Sequence, residues 1–514
     1  MVTPQVAPSR LRAGRVYSSL AVPTFHSTQR IKMSSIDFDE PVVPIKDAFR
    51  RRLDHRKASK AVLSPDHSDS LTCTLVWKAA RCLSTETRVF TVSGEYPDIV
   101  EALQRRGWVQ NQDEDSPACD FTWRRAAKPP TFLSSCHYFN HFRTIYHIST
   151  KVFFTEHLRE LQELCGVHSD LFYPRAHQVR LDSGFERDFK CTFALSLISR
   201  FVQGEILHPA RVRAALIVAK AGQASETHWK LMKATTETTI ARTCELSRIS
   251  PDCEVGTLSK EAKAVLDSQR EINPQFHMNG DRNLWIIKPG RKSRGRDIFV
   301  SNSLEKIRSK CSLNQSWIAQ KYIETPLLIL KRKFDIRQWV LVTAFQPLTV
   351  WMFGECYLRF AAVDYTSDNL DDLFIHLTNN SICKHSDGFD SGPIPELMWH
   401  CSQLQDLLIA QHHSDVWTDS ILPAMQDVII RSLQSVNPHV RKRTKSFELL
   451  GFDLMIDERL KPWLLEVNVS PAMDYSTRVT ERMVKDVLED TIKVVVDLQT
   501  DASAATGKFR RIYG

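Results

Sequence analysis

The sequence contains no C-x-x-C pair; its 12 cysteines are scattered singly. Zinc ribbons and thioredoxin-type redox motifs are therefore unsupported, and reduced thiols are the expected state. No apolar run reaches the roughly 20 residues that cross a bilayer, so no membrane span is expected. There is no C2H2 pattern, RNP motif or basic region joined to heptads, which leaves nucleic acid without a specific signal. No internal repeat is visible. Residues 1–36 hold no acid at all, yet carry Arg10, Arg12, Arg15, Arg30 and Lys32. That composition overlaps with a mitochondrial transit peptide. Pro4, Pro8 and Pro23 interrupt any amphipathic helix there, so a disordered basic leader over 1–70 is the expectation, with Met33 as an alternative start.

What is present describes a globular chain. Its 514 residues suggest two to four domains, and 42% hydrophobic with 25% charged residues is enough for a core of normal size. The net charge of +8 favours an anionic partner, which leaves nucleic acid, an anionic membrane surface and an acidic protein tail open.

Residues 447–471, FELLGFDLMIDERLKPWLLEVNVSP, organise the rest. Two short apolar runs, 449–456 and 462–467, flank a polar turn at 457–461 and predict a β-hairpin. Side chains alternate along a strand, so Glu466 and Asn468 share a face. With the turn centred between Arg459 and Leu460, Asp453 stands opposite Glu466. Asp453, Glu466 and Asn468 then form a set of oxygen ligands of the kind that holds Mg²⁺ jointly with nucleotide phosphates. Incidental acids beside a turn give the same pattern.

Five further segments carry chemistry. LWIIKPGRKSRGRDI (284–298) delivers Lys288 on a strand and follows it with a basic loop. Its Gly290-x4-Gly295 spacing nearly fits a Walker A loop, but Arg296 and Asp297 stand where lysine and a hydroxyl are needed. A phosphate-covering lid fits the glycines and cations, as does a solvated basic loop. WIAQKYI (317–323) is a buried strand. In KFDIRQW (333–339), alternation puts Lys333, Asp335 and Arg337 on one face, and Phe334 and Ile336 toward a core. Arg359 in CYLRF has the fork geometry that clamps a carboxylate or phosphate. Thr378, Asn379 and Ser381 in HLTNNS offer short polar groups in a loop.

Strands are expected at 88–92, 121–124, 284–288, 317–322, 335–344 and 348–353. Helices are expected at 96–106, 151–167, 188–220 with a break near 204–209, 419–436 and 480–498. One or two surface helices are expected within 221–281. Residues after Thr500 are small and polar, and a loose tail is expected.

In this order the segments KPGRKSRGRDI, QKYIETPLLI, KFDIRQW, YLRF, HLTNN, FELLGFD and WLLEVNVSP resemble the tubulin tyrosine ligase-like family of ATP-grasp ligases. The resemblance runs from about 88 to 497. Within the family the chain is most similar to the tubulin monoglycylase branch, through KFDIRQW, PLTVWMF, DTIKVVVD, SGEYPDIVEALQRRGWVQ and DLFYPRAHQV. It departs at Gly290-Arg291, where small residues are usual after Lys-Pro.

The resemblance implies a mixed α/β (α+β) ATP-grasp fold. The expected parts are a small α/β domain at 71–149, a central lobe with the phosphate lid at 150–322, a carboxy-terminal lobe with the metal hairpin at 323–500 and a flexible tail at 501–514. It implies an ATP-dependent tubulin–glycine ligase, with a glutamate ligase and a non-catalytic tubulin-binding module as the alternatives. Its cofactors are ATP and Mg²⁺, and its partners are acidic tubulin tails on microtubules and free glycine. The implied location is the cytoplasm and cytoskeleton, including the axoneme of a cilium or flagellum.

Roles follow by position. Lys288, Arg294 and Gly295 contact ATP phosphates, and Arg294 also lies near the acceptor peptide. Gln320, Lys321, Tyr322 and Ile323 meet the adenine edge through main-chain groups. Lys333 and Asp335 meet the ribose, and Arg337 the terminal phosphate. Thr378 and Asn379 lie by the nucleotide. Ser381 and Arg359 lie by the incoming amino acid. Asp453, Glu466 and Asn468 bind the metal. Lys288, Arg337 and Arg359 are the implied catalytic groups.

Overall fold

Three sheets arise from the apolar runs of the chain. The computed structural model describes residues 67–514, apart from 128, 131–132, 134–136, 180–182, 223–250, 293–294, 312–314 and 387–392. All of these belong to one compact unit, Pro65–Gly514. The expected leader falls outside the described residues except for its last four, which begin a helix, α1 (His67–Ala79).

The first sheet starts with VFTVS, an apolar run stopped by Gly94, which forms β1 (Val89–Ser93). Pro97 opens α2 (Pro97–Arg105), where its fixed φ suits the first turn. β2 (Val109–Gln110), β3 (Phe121–Arg124) and β4 (Tyr138–Phe139) complete a parallel sheet in the order β2-β1-β3-β4.

The second sheet belongs to the central lobe. After α3 (Tyr146–Ser149) and α4 (Lys151–Cys165), β5 (Ala176–Gln178) pairs antiparallel with a strand far along the chain. Between them come α5 (Ser183–Val202), α6 (Pro209–Gly222) and α7 (Pro251–Ile272), packed on one another through Ile198, Val212, Leu216, Ala262 and Leu266. The expected break between two helices falls at 203–208, before Pro209. β6 (Trp285–Pro289), β7 (Phe299–Ser301), α8 (Leu304–Lys310) and β8 (Trp317–Lys321) follow, and the sheet order is β5-β8-β6-β7.

The third sheet holds the longest strands. It is built from β9 (Leu328–Ile329), β10 (Arg332–Phe345), β11 (Leu348–Phe360), β12 (Met398–His400), β13 (Glu448–Ile456) and β14 (Pro462–Val469). The order is β12-β11-β10-β13-β14, with β9 added to β10, and all neighbours are antiparallel. One face of β10 presents Phe334, Ile336, Val340 and Val342 to a core shared with α9 (Cys401–His412) and α10 (Leu422–Val436), which contribute Leu404, Leu408, Met425, Ile429 and Leu433. The opposite face presents Lys333, Asp335 and Arg337 at one end. At the other end it presents Trp339 and Leu341, which enter a second core with Phe90 and Phe121 of the first sheet, Leu103 of α2 and Val487 and Leu488 of α11 (Arg478–Ile492). The amino-terminal sheet therefore caps the face that also bears the polar cluster. Arg106 fastens α2 to the residues around α11, at 2.9 Å from Glu489 and 2.6 Å from Asp497.

The tail corrects an expectation. Residues 501–514 do not form a loose end: Phe509–Tyr513 is a strand, β15, paired with β11 at Val350–Phe353. Phe509 is fully buried against Phe353, and Lys508 bridges Glu355 and Asp486, both at 2.8 Å. Composition suggested looseness because the small residues of 501–506 precede the two apolar anchors of the segment, Phe509 and, less deeply, Ile512.

Candidate active site

The hairpin β13–β14 sets Asp453 opposite Glu466, as expected, though by a different route. The turn centres one half-residue earlier, with Ile456 facing Pro462 and Met455 facing Trp463. An irregularity between Asp453 and Leu454 adds one residue, Leu465, to β14 and restores the Asp453–Glu466 pair. A bulge re-aims side chains, and here both Leu465 and Glu466 line the same cleft. Asn468 joins them, its Nδ2 donating to Asp453 Oδ2 at 3.1 Å.

That cleft lies between the second and third sheets. Lys288, Gly295, Gln320, Lys321, Tyr322, Ile323, Lys333, Asp335, Thr378, Asn379, Asp453 and Glu466 all line it. Arg337 and Arg359 stand behind the acids. Arg337 Nε donates to Asp453 Oδ1 at 2.6 Å. Gly451 leaves the room for this arginine, since a Cβ there would meet Arg337 Cδ and Nε at 3.2 Å. Arg359 was expected as an open clamp for the amino acid. The structure instead turns its fork onto Asp335, with both bonds at 2.7 Å, and onto Asp453 at 2.9 Å. Asp335 Oδ2 also accepts from the Thr378 hydroxyl at 2.7 Å.

The lysines are as constrained. Lys288 Nζ donates to Gln320 Oε1 at 2.7 Å, and burial lowers its pKa to about 8, with Glu466 opposing. Lys333 Nζ donates to the Tyr322 hydroxyl and the His376 carbonyl, both at 2.7 Å, and burial lowers its pKa to about 7, with Asp335 opposing. Tyr322 in turn lies 2.9 Å from His376 Nδ1, and His376 Nε2 lies 2.8 Å from the Asn369 carbonyl. The carbonyl requires a proton on Nε2, so Nδ1 accepts from Tyr322. Burial and then Lys333 lower His376 to about 4, which keeps this ring neutral. Lys321 faces away, its ammonium held by Glu324 at 2.6 Å and by the Asn279 and Leu284 carbonyls. Its side chain is thus committed elsewhere, although the residue lines the cleft.

The loop after Lys288 covers one side. Gly295 has φ +72°, and a Cβ there would lie 2.4 Å from Ile382 Cδ1, so the chain approaches the Leu377–Asn379 segment as only glycine permits. Lys292 pairs with Asp297 within the loop. Arg294 lies outside the described residues. Ser381 is exposed, in the short helix Asn380–Cys383 next to Asn379.

Sequence reasoning missed Lys151. At the start of α4, its Nζ lies 3.0 Å from Glu466 Oε2. Burial opposes charge on Glu466, but Lys151 and Lys288 outweigh it and hold the carboxyl at about 2. One lysine at a helix start carries no signal of this contact. Leu465 and Met455, which with Ile286 and Ile323 make the apolar wall, were missed because the bulge was not legible.

The groups around Glu466 have the chemistry of a divalent-cation site. Two carboxylates and an amide converge, Lys151 already places a positive charge on Glu466, and two guanidinium groups hold Asp453. The all-oxygen character fits a hard cation that shares its shell with phosphate.

A mixed α/β chain with two antiparallel sheets closing on a cleft of buried lysines and acids defines an ATP-grasp-like protein. Within that class, the chain belongs to the tubulin-tyrosine ligase family, whose profile matches residues 224–503. Similar proteins include Tubulin glycylase 3C of Tetrahymena thermophila, 33% identical over 85% of this chain and 49% of its own length. Tubulin monoglycylase TTLL3 of Danio rerio is 32% identical over 86% of this chain and 70% of its own length. Protein monoglycylase TTLL8 of Homo sapiens is 43% identical over 47% of this chain and 29% of its own length. The chain thus spans about half the length of the Tetrahymena relative and most of the zebrafish one.

Proposed function

We propose that this chain is an ATP-dependent ligase that joins glycine to the γ-carboxylate of glutamates in acidic tubulin tails. The observation that carries the reading is the convergence of Lys288, Lys333, Asp335, Asp453 and Glu466 on one cleft, with Arg337 and Arg359 behind it. The names of its relatives, glycylases acting on tubulin or protein, supply the substrate class.

The adenine lies against the apolar wall of Ile286, Ile323, Met455 and Leu465, with the main chain of 320–323 at its edge. Lys333 and Asp335 take the ribose, with Thr378 and Asn379 beside it. Lys288 and the 292–298 loop, including Arg294 and Gly295, hold the phosphates. Asp453, Glu466 and Asn468 would hold Mg²⁺, which when bound would supply charge neutralisation at the phosphates. The tail glutamate takes the γ-phosphoryl group, releasing ADP and giving an acyl phosphate. The glycine amine then attacks the acyl carbon, phosphate leaves, and an isopeptide bond remains. Arg337 stands where charge on the transferring group is stabilised, so positioning and electrostatics carry most of the rate. Arg359 orders Asp335 and Asp453. Ser381 is assigned to the incoming amino acid, and Arg294, which lies outside the described residues, is assigned to the acceptor by its place in the sequence alone.

Glycine is favoured over glutamate by the state of the cations. A glutamate donor brings a second carboxylate that needs its own partner when desolvated. Lys292 is paired with Asp297, Arg359 with two aspartates, and Lys384 is exposed. The setting is the cytoplasm and cytoskeleton, including the axoneme of a cilium or flagellum.

The test is transfer of labelled glycine to microtubules with Mg²⁺-ATP. Glu466→Gln keeps the fold and loses at least about 100-fold in rate, because a ligand charge and the partner of Lys151 are removed together. Unchanged turnover of this variant at saturating Mg²⁺ would overturn the assignment of the hairpin.

A further inference from the structure

Away from the cleft, three imidazoles from separate elements meet. His147 lies in α3, His157 in the second turn of α4, and His439 ends the short 3-10 turn Asn437–His439 that follows α10. A ring nitrogen from each lies within 4.8 Å of the other two. His147 Nδ1 is 2.8 Å from His157 Nε2, and the rings of His157 and His439 stack with centroids 3.8 Å apart. Glu160, one turn along α4, sits at the far edge. Its Oε2 is 3.2 Å from His157 Nδ1 and 3.4 Å from His439 Nε2. The Thr144 hydroxyl, donating to the His439 carbonyl at 2.7 Å, fixes that residue's main chain.

A hydrogen bond between two imidazoles accounts for His147 and His157 alone. It does not account for a third ring nitrogen brought into the same space, nor for a carboxylate placed on the outer nitrogens of two of the rings. A carboxylate that receives the outer N–H of a histidine fixes the tautomer and turns the inner nitrogen to a metal. We propose that His147, His157 and His439 form a zinc site, with Glu160 orienting His157 and His439. Three neutral imidazoles suit a borderline ion such as Zn²⁺ rather than Mg²⁺, and leave a fourth position for water. With metal–nitrogen bonds of about 2.0–2.1 Å in tetrahedral geometry the ligating nitrogens stand roughly 3.3 Å apart. His147 Nδ1 and His157 Nε2, at 2.8 Å, therefore part slightly, and the His439 nitrogen, within 4.8 Å of both, adjusts by ring rotation. His147 and His439 are half-buried, which gives the ion a path in.

The consequence reaches the cleft through α4. This helix begins at Lys151, the partner of Glu466, and its second turn holds His157. Zinc would tie that helix, and α3 before it, to the end of α10. The role assigned is a structural one, distinct from the oxygen-lined nucleotide site.

The experiment is titration of the full chain, stripped with chelator, with ZnCl2 by calorimetry, and with CoCl2 by absorption. One equivalent of zinc is expected to bind. The cobalt complex is expected to show the visible bands of tetrahedral coordination without a thiolate charge-transfer band, which separates this site from the 12 cysteines. His439→Ala, at one of the two half-buried ligands, abolishes both signals with an unchanged circular dichroism spectrum. Glu160→Gln keeps the ligands and weakens zinc about 10–100-fold. Zinc binding that is absent, unaffected by His439→Ala, or accompanied by a thiolate band would overturn the proposal.

Discussion

Lys288 and Lys333 are amines held in low dielectric, with pKa values lowered by burial to about 8 and about 7. Burial disfavours their charged forms, and an anion placed beside them restores it. The sign follows directly. The free protein holds these protons less tightly than the nucleotide complex does, so ATP binding takes up protons above about pH 7. Affinity then falls as pH rises through that window and on toward the raised values of the complex. Calorimetry at pH 8 in buffers of different ionisation enthalpy is expected to show net uptake, reduced in Lys333→Met. Proton release, or no exchange, would contradict this account of the lysines. Much at this scale was legible. Alternation along KFDIRQW placed Lys333, Asp335 and Arg337 on one face, and the structure brings them together there. The partner of Asp335 was not legible. Arg359 reaches it only because two irregularities between β10 and β11 shift the register of that hairpin, and bulges leave no pattern in one sequence.

At the scale of elements, the same physics governs the metal hairpin and the last strand. The hairpin was readable because two apolar runs flank a polar turn, but its bulge at Leu465 was not. The last strand was misread because FRRIY offers only one inward residue that packs deeply. Phe509 is that residue, enclosed by Phe353 and the core under β11. Phe509→Ala is expected to cost about 3–5 kcal/mol of stability, the range for emptying a buried aromatic site. Denaturant unfolding measures it. A loss below about 1 kcal/mol would mean that β15 contributes little to the sheet. Helices were read well where one face is apolar, as in α10, whose Met425, Ile429 and Leu433 all enter the core. The amino-terminal sheet was foreseen as a domain of its own, whereas its core runs on into β10 and α11. A shared core between distant segments is a property of packing that local patterns do not carry.

For the whole molecule, the excess of 68 basic over 60 acidic residues favours encounter with an anionic tail. Exposed charges are screened over about 10 Å at 0.1 M salt. Glycine transfer to intact microtubules is therefore expected to slow several-fold between low and physiological salt, through the encounter rather than through ATP binding. A rate indifferent to salt would remove steering from the account. The order of the motifs along the chain was the strongest global signal, since it placed residues as far apart as Lys288 and Glu466 into one cleft only once the fold was assumed; Lys151 itself stayed invisible because nothing local marks it. The most direct test of the central claim uses purified protein, microtubules, Mg²⁺-ATP and labelled glycine or glutamate in parallel. The account predicts ATP-dependent incorporation of glycine into tubulin and little of glutamate. Glutamate incorporated as well as or better than glycine would contradict it.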